Sequence, residues 1–136
     1  MCRNVKDFPL HIEIRKNSKL MNSGVSIYYD VRFEEELISF LSTRMEKMLV
    51  RLDWMLRGVH SYNDKLYSNY TFAPGISIIK FKHEETNPRL ICREIFSTDR
   101  KSKKIVIVEL FLKKTDKIDK KYLGRINSVK GYNYGN

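Results

Sequence analysis

Apolar and polar residues alternate along two stretches near the start of the chain. Leu10, Ile12 and Ile14 occupy every second position, and residues 25–29 repeat this alternation after a run of turn-forming residues. Successive side chains of a strand point to opposite faces of a sheet. The spacing therefore predicts one or two strands before residue 30.

The apolar period then lengthens, and apolar residues recur every three or four positions between residues 33 and 56. This period predicts two helices, over residues 31–42 and 44–57, each with one apolar face. Thr43 and Glu46 form a capping-box pattern at the start of the second helix. Several methionines lie on the apolar stripe, and we expect this stripe to pack on a sheet because methionine fills irregular cores.

Three runs rich in β-branched and aromatic residues follow, at residues 76–83, 90–97 and 104–112. Short polar links join them, which predicts an antiparallel meander. The third run is apolar on both faces, as a central strand would be. A last helix is predicted over residues 119–130, where Tyr122, Ile126 and Val129 share one face.

These elements predict an α+β fold, with a helical hairpin packed on an antiparallel sheet and a short C-terminal helix. The length of 136 residues fits a single domain, which we assign to residues 1–136. No internal repeat divides the chain.

Charge is distributed unevenly along this domain. The chain has 26 Lys and Arg against 16 Asp and Glu, a net charge of +10. Residues 76–136 contain 15 of the basic and 7 of the acidic residues, so most of the excess lies in the second half. A cationic surface favours polyanions, and the charge predicts nucleic acid, the ribosome or an acidic protein as partner.

Other classes of protein find no support in the sequence. The apolar stretches are too short to span a membrane, and the N-terminus lacks the apolar core of a signal peptide. Cys2 and Cys92 stand far apart, with neither a disulfide framework nor a zinc spacing. We therefore expect a cytoplasmic protein with no membrane contact, no metal and no small-molecule cofactor.

Three cations in the second half stand out by their positions. Lys80 and Lys82 alternate with apolar residues in Ile79-Lys80-Phe81-Lys82, and Arg93 lies within the apolar run of residues 90–96. An arginine inside an apolar run needs a partner. On adjacent strands, the three cations would suit the binding of a phosphate.

The order of the predicted elements, together with three motifs, resembles the RelE/ParE superfamily of type II toxin-antitoxin toxins. Lys80 and Lys82 look like the second-strand lysine pair, and residues 92–96 look like the third-strand pattern around its arginine. Residues 110–115, Leu-Phe-Leu-Lys-Lys-Thr, resemble the G-F-x-K-K-T end of the fourth strand in the RelE/HigB-like, phage-derived branch.

The resemblance covers residues 27–130, a RelE-like core, and leaves residues 1–26 as an N-terminal extension. Leu110 replaces the glycine usual in this branch. Glu94 stands where the family usually has an apolar residue, and an acid there would neutralise a neighbouring cation.

The resemblance implies a toxin that cleaves mRNA on the ribosome without a metal. It also implies a cognate antitoxin protein that holds the toxin inactive. In such enzymes the ribose 2′-hydroxyl attacks the adjacent phosphate, which requires a base, cations and an acid. The resemblance makes Lys82 the base if crowding lowers its pKa, and Arg93 the ligand of the phosphate.

The remaining roles also come from the resemblance. Tyr122 would stack on a base or donate a proton, with Tyr132 and Tyr134 as alternatives. The predicted catalytic residues are Lys80, Lys82, Arg93, Lys114 and Tyr122. The predicted RNA-binding residues are Lys80, Lys82, Arg93, Lys113, Lys114, Lys117 and Lys121.

Two other functions fit the same residues. One is a non-catalytic binding module of the RelE/ParE fold, which acts on a protein or a nucleic acid. The other is a basic RNA- or DNA-binding domain unrelated to toxins, for which we expect salt-dependent binding without cleavage. The resemblance implies that the set of Lys80, Lys82 and Arg93 favours the endoribonuclease over the binding module.

Overall fold

The computed structural model of the chain describes residues 2–10, 12–114 and 119–135. It is an α+β fold, in which the strands of the described residues form one mostly antiparallel sheet. The strands are β1 (Val5–Asp7), β2 (Val25–Asp30), β3 (Tyr67–Tyr70), β4 (Ala73–Lys80), β5 (Pro88–Phe96) and β6 (Lys103–Leu112). The helices are α1 (Ile12–Arg15), α2 (Ser18–Met21), α3 (Glu34–Leu41), α4 (Met45–Leu56) and α5 (Lys120–Lys130), with a 3-10 turn at Val31–Phe33.

The sheet has the strand order β1-β2-β6-β5-β4-β3. The predicted antiparallel meander is confirmed, because β4, β5 and β6 are consecutive neighbours. β6 also pairs with β2, in parallel, and so lies inside the sheet as its two apolar faces predicted. Ile105, Val106 and Ile107 of this strand have no exposed surface.

The two faces of the sheet are covered by different helices. On one face, α3 and α4 pack with residues such as Met48, Leu52 and Met55, which confirms the packing expected of the methionine-rich stripe. On the opposite face, which we call the α5 face, Tyr122 and Ile126 of α5 pack on β4, β5 and β6. The C-terminal helix lies where it was predicted, with Asp119 as its N-cap.

The N-terminal part differs from the prediction. Val25–Asp30 is a strand, but the alternation at Leu10 to Ile14 does not continue as one, because Ile12–Arg15 and Ser18–Met21 are short helices. The side chain of Asn17 caps the second of them by accepting hydrogen bonds from two backbone N–H groups. An alternation over five residues is too short to exclude a helical turn.

Residues 1–26, set apart above as an extension, contribute directly to the sheet and the core. β1 pairs with β2, and Phe8, Ile14 and Leu20 are buried in the core beneath α3 and α4. α3 and α4 lie within the ranges predicted for the two helices, but two strands, two short helices and a 3-10 turn precede them, so they are not the first elements of the fold.

Two further local predictions were wrong. The N-cap of α4 is Arg44, without a side-chain capping bond, and the capping box of Thr43 and Glu46 is not formed. The guanidinium of Arg44 instead binds Glu84 in the loop after β4, at 2.6 Å between Nη2 and Oε1. The residues between α4 and β4, where the sequence predicted no strand, contain the edge strand β3, whose polar side chains gave no strand signal.

The two ends of the described chain meet at Asp30, whose side chain is fully buried. Its Oδ2 accepts hydrogen bonds from Arg3 Nε and from the Tyr134 hydroxyl, both at 2.6 Å. Burial acts to raise the pKa of Asp30, but these hydrogen bonds outweigh it and the pKa lies below its usual value.

Among the described helices, none has the length and apolar character that a bilayer span requires.

Candidate nucleic-acid interface

A groove rich in cations lies between the end of β6 and the start of α5. We call it the basic groove, and its volume is about 480 Å³. It is lined by Phe111, Leu112, Lys113, Lys114, Asp119, Lys121 and Arg125. The structure therefore brings together Lys113, Lys114 and Lys121, three of the predicted RNA-binding residues.

The wall formed by β6 is shaped by backbone hydrogen bonds to the loop before β5. The N–H of Lys113 donates to the carbonyl of Asn87, and that of Lys114 donates to the carbonyl of Thr86 at 3.0 Å. Lys114 has a positive φ of 62°, so the chain turns sharply where the strand ends. Lys113 is consequently buried, whereas Lys114 is exposed.

The other wall belongs to the first two turns of α5. Lys121 and Arg125 are four residues apart and so share one side of the helix. Arg125 forms two hydrogen bonds of 2.7 Å with the carboxylate of Glu109, and these bonds raise its pKa above the usual value. This ion pair fixes α5 to β6 along the length of the groove.

A second group of cations lies beside the groove on the α5 face. We call Lys80, Arg89 and Lys113 the cation cluster. Lys80 at the end of β4 is directly opposite Arg89 of β5, which is only 2% exposed. The ammonium nitrogen of Lys113 lies 5.5 Å from the ring centroid of Tyr122.

The cluster changes the acid–base chemistry of Lys80. Burial, and then the positive charges of Lys82, Arg89 and Lys113, lower the pKa of Lys80 to about 8. The Lys80 ammonium donates a 2.7 Å hydrogen bond to the carbonyl of Asp64. A lysine with such a pKa is partly neutral near physiological pH and can accept a proton.

Arg93 is not part of this cluster. It pairs with Ile76, four residues along β4 from Lys80, and so lies further along the sheet. Its Nη1 donates hydrogen bonds to the carbonyls of Val129, Lys130 and Tyr132, at 3.1, 3.0 and 2.7 Å. Burial lowers the pKa of Arg93, and the partner that its burial required is the C-terminal end of α5.

The remaining predicted residues are dispersed. Lys82 follows the end of β4 and is exposed in the loop, and Lys117 lies outside the described residues. Tyr122 has no exposed surface, and its hydroxyl lies 2.7 Å from that of Tyr70. Because the ring is buried, it offers no face for stacking in this conformation. Burial, and then this hydrogen bond, raises the pKa of Tyr122, so its hydroxyl does not readily release a proton.

The alternative tyrosines are also engaged elsewhere. Tyr134 binds Asp30, and the guanidinium of Arg3 covers Tyr132 at 3.8 Å from its ring centroid.

On the face covered by α3 and α4, Glu94 neutralises a cation, as its position suggested. That cation is the buried Lys103, at 2.9 Å, and not a residue of the cation cluster.

Arg89 is the residue of this site that the sequence analysis missed. It stands directly after Pro88, in what was read as a link between strands, and β5 begins two residues earlier than predicted. Its spacing of four from Arg93 was a usable signal, because both positions fall on the same face of a regular strand.

No protein-family model, curated protein or solved structure matches this chain. Within residues 2–10, 12–114 and 119–135, no three His, Cys, Asp or Glu side chains are grouped so that they could hold a metal ion. The function proposed below therefore rests on the cationic side chains of the interface itself.

Replacing Arg93 by alanine tests its structural role. We expect Arg93→Ala to lower the free energy of unfolding by about 2–3 kcal/mol, because hydrogen bonds from a charged donor to the end of α5 are lost. Arg57→Ala is the control, since Arg57 forms an exposed ion pair with Asp53 on α4, and its loss should cost less than about 1 kcal/mol. Denaturant unfolding measures both, and equal stability of Arg93→Ala and the wild type would refute this role.

Proposed function

We propose that this chain binds single-stranded RNA along the basic groove and cleaves it without a metal, as the toxin of a type II toxin-antitoxin system. The observation that supports the proposal is the cation cluster beside the groove, in which the pKa of Lys80 is about 8. Clusters of like charge cost stability, and shifted pKa values concentrate at functional sites.

In the proposed reaction, the neutral amine of Lys80 removes the proton from a ribose 2′-hydroxyl. The oxygen attacks the adjacent phosphorus, and the bond from phosphorus to the 5′-oxygen breaks. The exposed ammonium of Lys114 binds the phosphate and protonates the departing 5′-oxygen, while the buried Arg89 and Lys113 stabilise the developing negative charge through their positive field without contacting it. This assignment moves the base from Lys82 to Lys80 and the phosphate ligand from Arg93 to Lys114.

The RelE-like arrangement and the cellular setting are parts of the same proposal. The meander, the helices α3 and α4 and the C-terminal helix support the resemblance. We propose that the substrate is mRNA on the ribosome in the cytoplasm, and that a cognate antitoxin covers the basic groove with an acidic segment.

A non-catalytic binding module of this fold is the second candidate. Two observations favour it. Arg93 is bound to the end of α5, and Tyr122 is fully buried, so two residues that the resemblance made catalytic are engaged within the fold. Such a module would use the same groove to bind RNA and would leave the strand intact.

The contribution of the groove to RNA affinity can be measured with a pair of charge variants. Lys114→Gln with Lys121→Gln should reduce the slope of log affinity against log salt by about 1.4, as expected for two lost phosphate contacts on a single strand. Lys16→Gln with Lys19→Gln is the matched control, because it removes the same charge from two other exposed positions, just before and within α2. Fluorescence anisotropy with a labelled single-stranded RNA provides the data, and equal losses in both variants would contradict a localised interface.

Cleavage by Lys80 predicts a specific pH profile. Because the neutral amine is the base, the rate should rise with pH, reach half of its maximum near pH 8 and then level off. Lys80→Gln should slow cleavage at least about 100-fold, while Lys82→Gln should have a smaller effect. Primer extension on a translated mRNA, with and without ribosomes, maps the cuts. Binding without any cut by the folded wild-type protein would establish the non-catalytic module.

A further inference from the structure

An exposed aromatic pair lies on the α5 face, at the turn between β3 and β4. Phe72 is 49% exposed, and its ring stacks on that of Tyr70, with 4.7 Å between the centroids and 17° between the planes. The other large exposed apolar side chains of the described residues are aliphatic. Phe72 is thus distinguished among them by an exposed aromatic ring.

A continuous series of contacts joins this pair to the cations of the proposed RNA site. The hydroxyl of Tyr70 lies 2.7 Å from that of Tyr122. The ring of Tyr122 lies 5.0 Å from that of Phe111, which lines the basic groove, and 5.5 Å from the ammonium of Lys113. The exposed ring and the nearest groove cation are therefore separated by two aromatic side chains.

The residues around Phe72 favour one class of ligand. Tyr70 is held by its hydroxyl and by edge-to-face packing with Tyr122, so the support beneath Phe72 is fixed before any ligand arrives. An aromatic ring on a rigid support, on the same face of a sheet as a group of cations, is a combination that suits single-stranded nucleic acid: phosphates contact the cations and an unpaired base stacks on the ring.

We infer that Phe72 is a stacking platform for an unpaired nucleobase of the RNA strand whose phosphates occupy the basic groove. The inference rests on the proposed function, and it adds how the single strand is recognised: through an unpaired base that stacks on Phe72. A duplex is a poor ligand, because its bases are stacked on one another and cannot cover Phe72.

The test uses the full chain and two labelled probes of equal charge, octauridine and an eight-residue abasic ribose-phosphate strand. Wild-type protein should bind octauridine about tenfold more tightly than the abasic strand, and Phe72→Ala should remove most of that difference. Phe72→Trp should retain it, whereas Phe72→Leu, which keeps an apolar side chain without an aromatic ring, should not. The salt slope should be unchanged in all three variants, since none removes a cation.

Ile38→Ala is the control, because Ile38 is a 63% exposed side chain of α3, the helix that packs on the opposite face of the sheet. Circular dichroism and denaturant unfolding verify that each variant is folded. If Phe72→Ala binds octauridine as tightly as the wild type while Lys114→Gln with Lys121→Gln does not, the stacking platform is refuted and the proposed function stands. If the wild type binds neither probe, the proposed function fails and the inference fails with it.

Discussion

The burial of Arg93 against the last turn of α5 fixes where the C-terminal helix lies on the sheet. A guanidinium removed from water needs acceptors, and the final carbonyls of a helix lack partners within it. The guanidinium of Arg93 donates hydrogen bonds to these carbonyls, and the negative end of the helix dipole adds to the attraction. The second attachment of α5, between Arg125 and Glu109, lies closer to the start of the helix. The basic groove exists because these two contacts place the first turns of α5 beside the end of β6.

Lys103 and Lys80, on opposite faces of the sheet, have different electrostatic surroundings. On the face covered by α3 and α4, Lys103 is bound by Glu94, and the Tyr62 hydroxyl donates to the same carboxylate. On the α5 face, Lys80 lies near other cations, and their charges and burial together lower its pKa. The first arrangement pairs a buried ammonium with a carboxylate, whereas the second shifts the pKa of a lysine, and such shifts concentrate at functional sites.

The sequence predicted those parts of the fold that have a long and regular apolar period. β4, β5, β6 and α5 each extend over eight residues or more, and each was predicted, although β4 ends at Lys80 and not at residue 83, which leaves Lys82 outside the strand. α1 and α2 have four residues each, which is too short for a period to distinguish a helix from a strand. β3 was missed because its buried side chains are a tyrosine and a serine, next to an exposed asparagine.

The site was less predictable because it depends on register and on distant contacts. The apolar surroundings of Arg93 indicated that it needed a partner, but no local pattern identifies the end of a helix 36 residues later as that partner. The opposition of Lys80 to Arg89 follows from the register of β4 and β5, which is set by the geometry and length of the connecting loop. The stacking of Phe72 on Tyr70 depends on an edge strand that left no signal.

The central claim is that RNA lies in the basic groove on the α5 face, and lysine footprinting measures this directly. The protein would be labelled with a lysine-reactive reagent, with and without a single-stranded RNA, and the modified positions quantified by mass spectrometry. We expect RNA to protect Lys114 and Lys121 and to leave Lys16 and Lys19 unchanged. Equal protection of all four lysines, or protection of Lys16 and Lys19 alone, would contradict the claim.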